Sequence, residues 1–129
     1  MPAAIAFGDD LVPGGWPALI ERGHRLALEA RDLLADALGE PSPALDEMVG
    51  AMVIVPLPPT TEPRPDGTDD DPVHAALLRA GIQVAISPWP LQPDGRPWRR
   101  LVRVSCAPYV GLDDIEALAA AIPVALVAA

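Results

Sequence analysis

The sequence predicts an α+β domain, with a three-stranded, mainly antiparallel sheet packed by helices and preceded by a long amphipathic helix. Three observations carry this. Apolar residues recur every three or four positions between Pro17 and Leu38. Three short apolar runs, at residues 48–57, 82–87 and 98–106, are bounded by proline and glycine. Two further stretches open on aspartate and continue with helical periodicity.

Residues 1–15 mix apolar residues with Pro2, Gly8, Pro13, Gly14 and Gly15, and read as a lead-in segment ahead of a small domain spanning 16–129. Pro17 then suits the first turn of a helix. Leu19, Ile20, Gly23, Leu26, Ala27, Ala30, Leu33, Leu34, Ala37 and Leu38 form its apolar side, and Glu21, Arg22, Arg25, Glu29, Asp32 and Asp36 its polar side. Glu21 and Arg25 are spaced as a favourable i, i+4 pair, and Gly39 with Pro41 supplies the stop.

Met48 to Leu57 is apolar on both alternations, the pattern of a strand covered on both sides. Pro56, Pro58 and Pro59 end it, and residues 58–71, rich in Pro, Thr, Asp and Gly, read as a flexible, solvated loop. Asp71 caps a short helix with Pro72 in its first position, running to about Ala80 before Gly81. Asp69 and Asp70 add negative charge at the positive end of its dipole. Ile82–Ser87 and Trp98–Cys106 are expected to pair antiparallel across a loop whose tip is Pro93-Asp94-Gly95. The last helix runs from Leu112 to about Ile122, with Leu112, Ile115, Leu118, Ala119 and Ile122 on one side and Gly111 as N-cap.

The chain has 129 residues, enough for one domain that buries roughly two-thirds of its unfolded surface. A net charge of −9 argues against a nucleic-acid or anionic-membrane surface. No run has the length of a transmembrane helix, no signal peptide is evident, and the single cysteine cannot form an intramolecular disulfide, so a cytoplasmic location is expected. Half the residues are hydrophobic but only 4% are aromatic, so small side chains carry the core and some apolar surface is expected to want a neighbour.

In the third strand Leu101, Arg103 and Ser105 share one face and Val102, Val104 and Cys106 the other. Arg103 therefore stands among apolar neighbours and calls for a carboxylate partner. That partner is either a ligand or an ion pair within the domain. Trp89 and Trp98 flank the proline-rich loop and either line a pocket or simply pack. Arg99 and Arg100 point to opposite faces, so at least one meets solvent and either can steer an anion. Cys106 has no histidine in its segment and reads as a buried, inert thiol. The wide spacing of Cys106, His24 and His74 gives no zinc site, the Asp66–Asp71 stretch does not follow the calcium-loop pattern, and no glycine-rich phosphate motif is present.

Two segments, Gly81-Ile82-Gln83-Val84-Ala85-Ile86-Ser87-Pro88-Trp89-Pro90 and Arg99 to Tyr109 with the acid-headed helix after it, resemble the C-terminal small domain of class V, fold-type I enzymes that use pyridoxal phosphate. The similarity lies with the isopenicillin N epimerase and cysteine desulfurase-like group and extends from Trp16 to Ile122. It implies that Arg103 binds the α-carboxylate of an amino-acid substrate, with Trp89 and Tyr109 beside it. Tyr109 is followed here by Val110, where that group usually has asparagine, and Gly111 stands where threonine is common. All nine cationic side chains are arginines, so the chain has no lysine to carry the cofactor. The resemblance thus implies a substrate-recognition and active-site-closing domain with no catalytic residue and no cofactor of its own. It would be inactive alone and work with a pyridoxal-phosphate-binding large domain in cis or in trans, in epimerase, desulfurase or lyase chemistry. The alternative from another class is a stand-alone interaction module that forms homo-oligomers or docks on a partner.

Overall fold

In the computed structural model, which describes residues 2–42, 44–59, 71–88 and 100–128, the elements run α1 (Pro2–Leu11), α2 (Gly15–Leu38), a 3₁₀ turn (Asp46–Met48), β1 (Met52–Pro56), α3 (Pro72–Arg79), β2 (Ala85–Pro88), β3 (Arg100–Ser105) and α4 (Leu112–Ala128). The three strands form one antiparallel sheet in the order β1-β3-β2, which makes the α+β architecture expected from the sequence. No helix is long and apolar enough to cross a membrane among the described residues.

The helices supply one side of a continuous core. Leu26, Ala27, Ala30 and Leu34 of α2, Val73 and Leu77 of α3, and Ile115, Leu118, Ile122 and Ala125 of α4 are buried with Val53, Val55, Val102 and Val104 of the sheet. α2 packs on β1, and α4 packs against both α2 and α3. Gly23 allows close approach in the middle of α2, because a Cβ there would come within 2.8 Å of the Ala51 Cβ. At its end, Gly39 takes the left-handed conformation (φ 65°), and the N–H groups of Gly39 and Glu40 both donate to the Ala35 carbonyl.

The other face of the sheet carries Met52, Ile54 and Pro56 of β1, Leu101, Arg103 and Ser105 of β3, and Ala85 and Ser87 of β2, none of them buried. β1 is therefore not covered on both sides. Its uniformly apolar sequence hides an alternation in which Val53 and Val55 face the helices while Met52 is exposed.

The ladder also explains two prolines within strands. Leu57 N–H donates to the Arg100 carbonyl and Cys106 N–H to that of Ala51, so even-numbered residues of β3 bond towards β1 and odd-numbered ones towards β2. Pro56 opposes Leu101 and Pro88 opposes Arg100. Each proline thus sits where its missing N–H would have pointed outward, away from β3.

Three further expectations are corrected. Residues 1–15 are not a plain lead-in: Pro2 opens α1, the run of alanines with Ile5 and Phe7 sustains it, and Gly8 gives the Trp16 indole room to lie against it. The Trp16 indole N–H donates to the Ile5 carbonyl at 2.9 Å, closing the α1–α2 hairpin. α4 continues through Pro123 to Ala128 instead of ending near Ile122, because Ala125, buried on the core side, rewards the extra turn. Its first residue, Leu112, is 42% exposed rather than in the core.

The third correction concerns Arg100, which is not free to steer an anion. It is 6% exposed, and its Nη1 lies 3.1 Å from both carboxylate oxygens of Asp71, itself 4% exposed. Asp71 Oδ1 also accepts from the Val73 N–H at 2.8 Å and from the His74 N–H at 3.4 Å, capping α3 as the sequence predicts. The Arg100 Nε is buried without an acceptor, so the pair carries an unrecovered desolvation cost. Asp69, Asp70, the Pro93-Asp94-Gly95 tip and most of the 58–71 stretch lie outside the described residues.

Removing either partner leaves a buried charge. Asp71→Ala is expected to destabilise the domain by about 3 kcal/mol, measured by urea unfolding. Asp71→Ala combined with Arg100→Leu is expected to recover a large part of that loss.

Candidate functional site

β2 and β3 part company at one end of the sheet. Their ladder stops at Ala85 opposite Arg103, because the chain enters β2 from the end of α3. There Gly81 is left-handed (φ 82°), and the Ile82 N–H turns back to the Leu77 carbonyl at 2.9 Å. The opposite wall is the turn leading into α4. Arg22, reaching across from α2, donates to the Val110 carbonyl at 2.7 Å and to that of Ala107 at 3.5 Å. The Gly111 N–H is bound by Asp114 Oδ2 at 2.9 Å, so a carboxylate in the third helical position anchors the start of α4.

Between these walls lies an open groove of about 650 Å³. Val84, Val104, Ile115 and Leu118, all buried or nearly so, give it an apolar floor. Arg103, Tyr109 and Asp114 stand among its lining residues. Arg103 is exposed, flanked on the same face by Ile54 of β1 and by the small Ala85 of β2. Among the described residues no carboxylate pairs with it. Of the two partners open to Arg103 from sequence, the ion pair within the domain is thus absent among the described residues.

Tyr109, 88% exposed, joins Arg103 in this groove. Trp89, Trp98 and Arg99 lie outside the described residues. Two contributors escaped the sequence reading. Arg22 was one more charge on the polar side of a helix, and only the fold brings it to residues 107–110. Asp114 is one of the acids at the head of the last helix, and its spacing of three from Gly111 is that of a capping carboxylate.

Cys106 faces the core side of the sheet and is 4% exposed. Burial pushes its thiol above the ordinary range, against an opposing influence of the Arg22 charge. A second, apolar groove of about 350 Å³ between α1, α2 and the end of β3 includes Phe7, Leu11, Trp16, Ile20 and Cys106. His24 Nδ1 lies 2.8 Å from the Val49 carbonyl. Since a carbonyl only accepts, this nitrogen carries a proton and the ring is held as a structural link. No group of three or more potential metal ligands gathers among the described residues.

A raised pKa and little exposure make Cys106 a poor nucleophile. The folded protein is expected to react with a disulfide reagent such as 5,5′-dithiobis(2-nitrobenzoate) at least about tenfold more slowly than the urea-unfolded chain at pH 8, measured by release of the coloured thiolate.

The groove must be read from its own chemistry, since no protein-family model and no curated protein matches this sequence.

Proposed function

We propose that this chain is a substrate-recognition and active-site-closing domain, similar in kind to the small domain of class V pyridoxal-phosphate enzymes, and that Arg103 receives the carboxylate of an amino-acid substrate. One observation carries the reading: Arg103 is exposed, lines the groove, and has no carboxylate partner among the described residues of an otherwise acidic chain. A guanidinium binds a carboxylate through two parallel hydrogen bonds, fixing its plane as well as its position. The groove also includes Val84, Ile115 and Leu118, on the helix side of the sheet, and this apolar lining suits an apolar substrate side chain.

Pyridoxal phosphate itself does not fit these residues. The chain has no lysine to which the cofactor could be attached, so its part is confined to holding the substrate and excluding water. The cofactor and the reactive amine belong to a large domain, in cis or in trans, that would close over the groove. Epimerase, desulfurase and lyase steps all make this same demand on the carboxylate-binding wall.

A second reading, an interaction module that docks on a partner or on itself, draws on the apolar surface of the α1–α2 hairpin. Phe7 is 65% and Ile20 64% exposed there, beside Leu11 and Trp16. Light scattering tests the self-docking form of this reading, which requires a mass that grows with concentration.

The carboxylate reading is tested directly on the folded chain by titrating L-leucine and following backbone amide shifts. Arg103→Gln is expected to weaken binding by roughly 10- to 100-fold, the worth of a hydrogen bond to a charged group, with unchanged thermal stability. A variant that binds as well as the parent would refute the assignment.

A further inference from the structure

A second guanidinium lacks a carboxylate. Arg22 of α2 is half-buried, and among the described residues no acid pairs with it. Its hydrogen bonds go to the carbonyls of Ala107 and Val110, which occupy two of the five N–H donors that a guanidinium offers. The Arg22 Nε–H has no acceptor in the protein and, unlike that of Arg100, is not sealed from solvent. Arg22 lines the groove of about 350 Å³ between α1, α2 and the end of β3, and is the one charged residue among its described lining residues. The other walls are largely apolar: Phe7 and Leu11 come from α1, while Trp16, Leu19 and Ile20 recur at helical spacing on α2. Because the Arg22 head is held by the turn after β3, charge and apolar surface enter this groove from different elements. The charge is felt by the Cys106 thiol, another residue of the same groove.

We propose that this groove binds a monocarboxylate with an apolar chain, a medium-chain fatty acid, with its carboxylate on Arg22 and its chain against Phe7, Leu11, Trp16 and Ile20. The site goes beyond the Arg103 reading and does not rest on it. Arginine is a permanent cation, so the groove calls for an anion, and a planar guanidinium matches a carboxylate. Partial burial of Arg22 keeps some of the water away and strengthens that attraction. A neutral apolar ligand would leave the guanidinium unanswered, and a second charge on the ligand would meet apolar side chains with nothing to pair with it. The volume lies near the lower end of the range of about 300–1,000 Å³ usual for ligand sites, which suits a short chain rather than a full-length lipid tail.

The experiment titrates the folded chain with octanoate, with 1-octanol, which has the tail without the charge, and with acetate, which has the charge without the tail. Binding is followed by backbone amide shifts and by the Trp16 indole N–H signal. Octanoate is expected to bind at least about tenfold more tightly than 1-octanol and far more tightly than acetate, with shifts centred on Phe7, Trp16, Ile20 and the turn after β3. Arg22→Gln, which keeps an amide donor for the Val110 carbonyl, is expected to weaken octanoate binding roughly 10- to 100-fold and to leave 1-octanol unchanged. Ile20→Asp, at a position 64% exposed and so outside the core, is expected to abolish octanoate binding by setting a like charge in the groove. That variant and the ligand comparison on the parent protein decide the matter whether or not Arg22→Gln folds. Equal affinity for octanoate and 1-octanol, or shifts confined to residues 81–85 and 103, overturns the site. A mass by light scattering that grows with concentration and that octanoate does not reverse assigns the hairpin face to a second copy, and overturns it too. Either failure leaves the Arg103 assignment standing.

Discussion

The buried contact between Asp71 and Arg100 fixes the relation between α3 and β3, and the rest of the domain follows from it. One carboxylate both caps the helix and neutralises the strand arginine, so α3 cannot begin elsewhere without stranding a charge in the core. The same arginine, through its carbonyl, receives the Leu57 N–H just beyond β1. Three segments distant in sequence are thereby tied at one end of the sheet. Such a pair contributes little net stability, because desolvation offsets attraction, but breaking it leaves an uncompensated buried charge. With the start of α3 fixed, its end at Gly81 delivers the chain to β2 at Ala85 and leaves the mouth of the groove open.

The arginines of β3 divide their roles by strand parity. Arg100 shares the inward side with Val102 and Val104; Arg103 shares the outward side with Leu101 and Ser105. Alternation alone grouped Arg103 with Leu101 and Ser105, without saying which face turns outward. Arg100 is in phase with the buried valines, a charge on the core side requires a partner, and that partner lies 29 residues earlier in the chain. Nothing local marks Asp71 as more than a helix cap.

Much of the fold was legible because periodicity, capping and turn residues agree locally. Pro17, Gly39, Asp71 and Gly81 sit where the helix boundaries need them, and the three strands emerge close to their expected positions. What stayed hidden depends on contacts between elements. α1 looked like a lead-in because its glycine and prolines suggest irregular chain, whereas Gly8 is there to receive an indole. The outward face of β1 looked covered because Ile54 and Met52 are as apolar as their buried neighbours. Of the candidate site, Arg103 and Tyr109 could be named from the chain; the wall built by Arg22 and Asp114 required knowing which elements meet there.

The two strand prolines have a consequence for the molecule among its own copies. β1 and β2 are the outer strands, and each carries a proline oriented so that it withholds a donor from any strand approaching from outside. A polymer growing by edge-to-edge stacking would meet a gap in its hydrogen bonding at either rim. In a chain whose apolar content reaches half of its residues, these prolines act as gatekeepers against amyloid-like growth, and replacing both would expose the protein to it without disturbing a single bond inside the sheet.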